Sequence, residues 1–221
     1  MLEIFERLIG FDTISSNPNI ALMGYVVDLL AGAGIEAVLI KDSSGGKANL
    51  YASVGPKGAG GVMLSGHTDV VPIEGQAWSV PAFQLTAQDG RYYGRGAADM
   101  KGFVACAIDA MLAAAKRPLK VPLHLALSYD EEIGCMGVGS LIEMLAQAPL
   151  RPRMCLVGEP TGMQVATGHK GKNCAAGNLH RPRGAFGPCA DGVECPASGG
   201  GFCERSAGGA DAAGCDRPAR W

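Results

Sequence analysis

The sequence predicts an α/β fold with a largely parallel or mixed sheet flanked by helices. Three observations carry this. Apolar runs at helical spacing alternate with short β-branched or aromatic runs, Gly- and Pro-rich segments separate them, and three of the short runs end at imidazole or acidic side chains. Residues 1–10 carry Leu2, Phe5 and Ile9 at helical spacing. Residues 20–31 repeat the pattern with Leu22, Val26, Leu29 and Leu30, and Gly32 and Gly34 stop that helix. Segments 35–40, 48–54 and 61–66 read as strands, the last two divided by the Gly-rich turn 55–61. An irregular stretch with Pro72, Gly75 and Pro81 follows, then a short strand pair near 83–93 and a helix at 101–115. A buried-looking strand at 121–129, a helix near 136–147 and a strand at 154–159 complete the pattern.

The chain has 221 residues, enough for a sizeable core. Charged residues make up 18% and the formal net charge is −2, so no basic face points to nucleic acid. The N-terminal segment mixes Glu3, Glu6, Arg7 and Asp12 among its apolar residues and has no basic leader. No apolar stretch reaches the roughly 18 to 20 residues of a membrane span. The expectation is a soluble, cytoplasmic chain. Of the eight cysteines, Cys106, Cys135 and Cys155 stand apart in apolar contexts and are expected to be buried free thiols. The other five crowd into residues 173–221 without a C-x-x-C pair, which argues against a zinc knuckle.

The chemistry concentrates at strand ends. His67 follows the run 62–66, Asp130, Glu131 and Glu132 follow 121–129, and Glu159 follows 154–158, so three strands deliver polar groups at their carboxyl ends, where open α/β sheets form sites. His67 and Asp69, two apart, would project to one side of an extended segment, as a metal ligand and a carboxylate fixing its tautomer. A turn histidine is the plainer reading of that pair alone. Asp99, in the small-residue run 94–98, is either a carboxylate bridging two cations or the N-cap of helix 101–115.

Glu131 and Glu132 are adjacent carboxylates at the end of an apolar strand, costly to desolvate unless cations or hydrogen bonds compensate. One as ligand and the other as general base resolves that cost; a solvated acidic loop is the alternative. Glu159 taken alone is an ordinary loop carboxylate. Gly94-x-Gly96-x-x-Asp99 lacks the third glycine of a dinucleotide fingerprint, and Gly168 to Asn173 lacks the spacing and hydroxyl of a phosphate loop. His124, inside a strand, reads as a core histidine, and His169 takes no role from its spacing.

The ordered segments SGHTDVVP (65–72), YGRGAADMKG (93–102), SYDEE (128–132) and GEPT (158–161) resemble the dinuclear zinc peptidase and deacylase family. Its members include desuccinylases, aminoacylases and carboxypeptidases, and segments 75–83, 128–138 and 158–171 look most like its acetylornithine deacetylase group. The resemblance covers residues 1 to about 172. It implies an incomplete zinc-aminopeptidase-like catalytic domain acting on a small N-acyl amino acid, without nucleic acid or membrane. It implies two divalent ions, zinc or cobalt. His67, Asp99 and Glu159 would hold one, Asp99 and Glu132 the other. Asp69 would orient His67, Glu131 would be the general base, and a cis peptide would follow Asp99. No substrate-binding residue is assigned.

The same resemblance implies a lid and dimerisation domain carrying a Gly-His-Ser motif, then a return to the catalytic domain with a further metal-ligating histidine. Neither histidine is identifiable, so one well-ligated metal site at most is expected, together with an open sheet edge and little turnover. From 173 to 221 Gly, Ala, Arg, Pro and Cys dominate, and Leu179 and Val193 are the only residues among Ile, Leu, Val and Met. Such a segment is expected to be disordered. Codons for Arg183 to Cys195 can be written so that a reading one base later gives Glu-Gly-His-Ser-Ala-Leu-Ala-Pro-Met-Ala-Leu-Asn, which looks like the lid motif. A frame break near Gly171 to Cys174 is therefore expected, with a Cys-rich binding tail as the alternative.

Overall fold

The computed structural model describes residues 1–57, 60–148 and 151–168. Helix α1 (Leu2–Ile9) buries Ile4, Phe5, Leu8 and Ile9, while Leu2, at its start, stays exposed. Helix α2 (Ile20–Gly32) buries Leu22, Met23, Val26 and Leu30 and gives way at Gly34, whose φ of 74° suits glycine. Strands β1 (Ala37–Lys41), β2 (Ala48–Val54) and β3 (Val62–His67) follow, then the two-stranded ribbon β4 (Thr86–Gln88) and β5 (Arg91–Tyr93). Helix α3 (Lys101–Ala114), strand β6 (Leu123–Ser128), helix α4 (Gly139–Gln147) and strand β7 (Met154–Val157) end the described elements.

The main sheet has the order β1-β2-β6-β3-β7. β1 and β2 pair antiparallel, as do β2 and β6, whereas β3 lies parallel to both β6 and β7. The sheet is mixed, as the sequence predicts. Its parallel part brings the carboxyl ends of β3, β6 and β7 to one edge, which positions everything below.

Strand alternation sorts the two faces. Ala48, Leu50 and Ala52 of β2, with Leu125 and Leu127 of β6, join a core shared with α1, α2 and α3. The intervening Asn49 faces the other way, and its side-chain amide donates to the Gly137 carbonyl and the Ser140 hydroxyl beside α4. Helices therefore cover both faces. His124 is a buried strand histidine, as expected, stacked on Tyr51 with 2.7 Å between the Tyr51 hydroxyl and Nδ1.

The thiols overturn an expectation. Cys106, Cys135 and Cys155 are all exposed. α3 is apolar on most sides but packs on one, and Cys106 lies off that face; Cys135 sits in the loop after the acidic cluster, and Cys155 on an edge strand whose four residues are all exposed. Apolar neighbours in sequence do not bury a residue on the open side of its element. No helix among the described residues is long and apolar enough to cross a membrane. His169 and the tail 173–221, with its expected disorder and frame break, lie outside the described residues.

Candidate metal centre

Three strand ends meet at one imidazole. His67, the last residue of β3, is buried, and its Nε2 lies 3.1 Å from Asp99 Oδ1, 3.8 Å from Glu131 Oε2 and 3.9 Å from Glu159 Oε1. One donor atom each from His67, Asp99 and Glu159 falls within 4.8 Å of the others. Each carboxylate arrives by its own route. Asp99 follows Gly96, whose φ of 77° turns the chain, and the Asp99–Met100 peptide is cis. Glu159 follows Gly158, where a Cβ would stand 1.9 Å from the Phe103 ring, so only glycine lets this strand end close on α3. Glu131 follows Asp130, which holds a φ of 56°.

The N-cap alternative for Asp99 fails, because α3 is capped at Met100 with no side-chain hydrogen bond and Asp99 faces His67 instead. In the acidic loop the backbone is pinned, while the Glu131 side chain is 38% exposed. The amides of Glu131 and Glu132 donate to Oδ1 and Oδ2 of Asp69 at 3.1 and 3.2 Å, and the Ser15 hydroxyl donates to Oδ2 at 2.7 Å. Asp69 thus shares its carboxylate among the acidic loop, Ser15 and His67. What lies nearest His67 Nδ1 is the Asp69 main-chain carbonyl at 2.9 Å, with Oδ1 at 3.5 Å. An Nδ1 proton donated there turns Nε2 toward the carboxylates, as the nitrogen that a cation would take.

Charge follows from this crowding. Burial would lower the pKa of His67, but its contacts with Asp69 and Asp99 outweigh that and raise it to about 11. Contact with His67 holds Asp99 below the usual carboxylate range despite partial burial. Burial tends to raise Asp69, yet the bonds from His67, Ser15 and the Glu131 amide keep it low. Burial and then the charge of Asp99 push Glu132 up to about 7, and burial with Asp99 and Glu131 nearby raises Glu159. The point is one where positive charge is strongly favoured.

The donors fit a divalent cation. Ligands about 2.1 Å from a tetrahedral zinc ion stand roughly 3.4 Å apart, and the 3.1 and 3.9 Å separations around Nε2 bracket that value. Glu132 is not among the three converging donors, so a second position would have Asp99 and Glu132 to work with among the described residues. His67, Glu131 and Glu159, with Ser128, Tyr129 and Val138, line a cavity of about 180 Å³.

Beneath the acidic side chains lies a polar layer that spacing does not reveal. The segment 13–19 runs beside 68–70: Ser15 N–H donates to the Val70 carbonyl, Val70 N–H to the Thr13 carbonyl, and the Thr13 hydroxyl to the Thr68 carbonyl. Buried Asn19 donates through Nδ2 to the Ala48 carbonyl and the Thr68 hydroxyl, and accepts from the Ala48 amide at 2.8 Å. Thr68 passes the link to the Ser128 carbonyl at the end of β6. The one available signal was the polar cluster Ser15, Ser16, Asn17, Asn19 between two apolar helices, which reads as a simple turn.

Residues 63–198 match peptidase family M20/M25/M40. The chain belongs to that family. Among curated proteins it is 36% identical to an acetylornithine deacetylase of Pasteurella multocida over 177 residues, covering 77% of this chain and 45% of that protein. It is 42% identical to an acetylornithine deacetylase of Myxococcus xanthus over 171 residues, covering 75% and 43%. Among solved structures, an M20 family metallo-carboxypeptidase from Sulfolobus solfataricus shares the fold with a TM-score of 0.63 at 23% identity, over 71% of this chain and 36% of that one. Human carnosine dipeptidase 1 superposes with a TM-score of 0.57 at 25% identity, over 65% and 34%. The chain spans less than half the length of these relatives.

Proposed function

We propose that the chain carries the metal-binding part of an amide hydrolase of the acetylornithine deacetylase type, converting N2-acetyl-L-ornithine and water to L-ornithine and acetate in arginine biosynthesis. The observation that carries this is His67 Nε2 with three carboxylates 3.1 to 3.9 Å away; the curated relatives support the substrate class. His67, Asp99 and Glu159 hold one divalent cation, zinc or cobalt, and Asp99 with Glu132 contributes to a second. A cation there supplies Lewis acidity toward an amide carbonyl and makes water more acidic. Glu131, whose carboxylate faces Nε2 from the cavity side, takes the proton from the attacking water as its oxygen bonds to the carbonyl carbon. As the C–N bond breaks, Glu131 returns that proton to the leaving amine nitrogen. Asp69 fixes the His67 ring through its carbonyl and the Glu131 and Glu132 backbone through its carboxylate.

The 221-residue chain itself is proposed to turn over little or no substrate, because the second cation position has two carboxylates and no imidazole among the described residues. That observation favours a second reading, a non-catalytic metal-binding fragment; a desuccinylase or another N-acyl amino acid deacylase is the alternative enzyme, and the longer protein would pair through a lid domain. Zinc content of the purified chain tests the first step. Near-stoichiometric zinc that is lost in His67→Ala supports this centre, whereas zinc lost only when 173–221 is deleted sinks it. Release of acetate from N2-acetylornithine, compared with succinate from N-succinyl-diaminopimelate, separates the deacylase readings, and rapid turnover by this chain would overturn the inactivity.

A further inference from the structure

The acidic loop is held at a point the metal ligands do not explain. Lys47 ends the turn between β1 and β2. Asp42 organises that turn by accepting from the Lys47 amide at 3.0 Å and from the Ser44 hydroxyl at 2.7 Å. Lys47 Nζ then reaches out of the hairpin and donates to both carboxylate oxygens of Asp130, at 2.6 and 2.9 Å, and to the Ser15 carbonyl at 2.6 Å. The Lys47 and Asp130 side chains are 20% and 14% exposed, so this pair is shielded from water and unlike a solvated surface ion pair.

Asp130 has the left-handed φ of 56°, a conformation Asp tolerates but does not choose unaided, and the next two amides are those received by Asp69. Ser15 ties the two anchors together: its carbonyl accepts from Lys47 and its hydroxyl donates to Asp69. The contacts close a ring through Lys47, Asp130, Glu131, Asp69 and Ser15, drawing together segments far apart in the chain. We propose that Lys47 is a positioning residue that sets Glu131 and Glu132 in register at the centre by clamping Asp130 to the Ser15 carbonyl. Its functional meaning rests on the metal-centre reading above, but the clamp does not. Cutting it frees a shielded Asp130 carboxylate, and the loop relaxes to let that group reach water.

The test is amide hydrogen exchange, resolved by residue, on the 221-residue chain in chelator, comparing wild type with Lys47→Met and Lys47→Arg. Lys47→Met is expected to speed exchange at the Glu131 and Glu132 amides at least tenfold while Leu125 and Leu127 in β6 keep their rates. Lys47→Arg, which can still grip a carboxylate with two donors, is expected to stay within threefold of wild type. Unchanged Glu131 and Glu132 rates overturn the proposal, and so does an equal acceleration in β6, which would make Lys47 a general prop. Should Lys47→Met not fold, Asp130→Asn, which tolerates the same left-handed φ but loses the charge, weakens the clamp from its other end and is read by the same amides. A parallel Co2+ titration followed by visible absorption keeps the two readings apart. No Co2+ uptake by wild type sinks the metal centre while exchange still decides on Lys47; uptake weakened at least tenfold in Lys47→Met, and restored in Lys47→Arg, supports the clamp as part of the site.

Discussion

Replacing Lys101 by Met should change how stability depends on pH. Lys101 opens α3 and is fully buried, with Nζ donating to the Phe11 carbonyl at 2.7 Å. Burial lowers its pKa from 10.5 to about 7, against the opposing pull of Asp12 and Asp69. In the unfolded chain the lysine keeps its proton up to 10.5, so between pH 7 and 10.5 the unfolded state binds more protons and native stability rises with pH. Below pH 7 both states are charged and the native state bears the whole cost of the buried ammonium. The slope approaches 1.36 kcal/mol per pH unit, and allowing for curvature near the folded pKa the wild type should gain about 2 kcal/mol between pH 7 and pH 9. Lys101→Met removes the titration while keeping the apolar stem. It leaves the Phe11 carbonyl without this donor, at a cost of about 1–3 kcal/mol that does not vary with pH. Urea unfolding in chelator at pH 6, 7, 8 and 9, followed by circular dichroism, gives the difference between the two proteins. A difference that stays level across that range would refute a neutral lysine in this core.

Glu132 should act with the opposite sign. Burial raises its pKa from 4.5 to about 7, so in chelator the native state holds more protons than the unfolded state in that window and loses stability as pH rises; Glu132→Gln should flatten that decline in a urea series extended down through that window, from about pH 4.5 to about pH 7. Asn19→Ala should destabilise by about 3 kcal/mol, since it strands a buried amide and carbonyl of Ala48 and the Thr68 hydroxyl; thermal unfolding within a degree of wild type would contradict this. Ser15→Ala removes a buried donor to the Asp69 carboxylate and should cost about 2 kcal/mol, with a matching loss of zinc retention during dialysis against a weak chelator.

The elements were legible because each rests on a pattern of the right period. The apolar spacing of 20–31 and 101–115 locates α2 and α3 within a residue or two, and the runs 48–54 and 61–66 coincide closely with β2 and β3. The convergence of His67, Asp99, Glu131 and Glu159 was legible too, since all but Asp99 follow strands of one parallel set. The partners of the Asp69 carboxylate were not. Spacing from His67 suggests a side-chain contact, and Asp69 Oδ1 does lie 3.5 Å from Nδ1, but the Asp69 carbonyl is nearer at 2.9 Å and the carboxylate also receives the Glu131 and Glu132 amides. Lys47, Ser15 and Asn19 were illegible because their meaning lies in partners 83, 54 and 29 residues distant, and a local window treats each as turn chemistry.

The two edges of the sheet differ in how firmly they hold the centre. On one side β1 is paired along five residues with β2, and the hairpin turn beyond it is anchored through Lys47, so this edge feeds order into the acidic loop. On the other side β7 pairs only with β3 among the described strands, and Met154, Leu156 and Val157 are each about half exposed. Unpaired backbone beside exposed apolar side chains is a template for association. Glu159 leaves from this edge, whereas His67 leaves from the buried end of the inner strand beside it. The weakest ligand geometry is therefore expected at Glu159, where least of the surrounding sheet restrains the donor, and a bound cation would tie the exposed edge to the buried core.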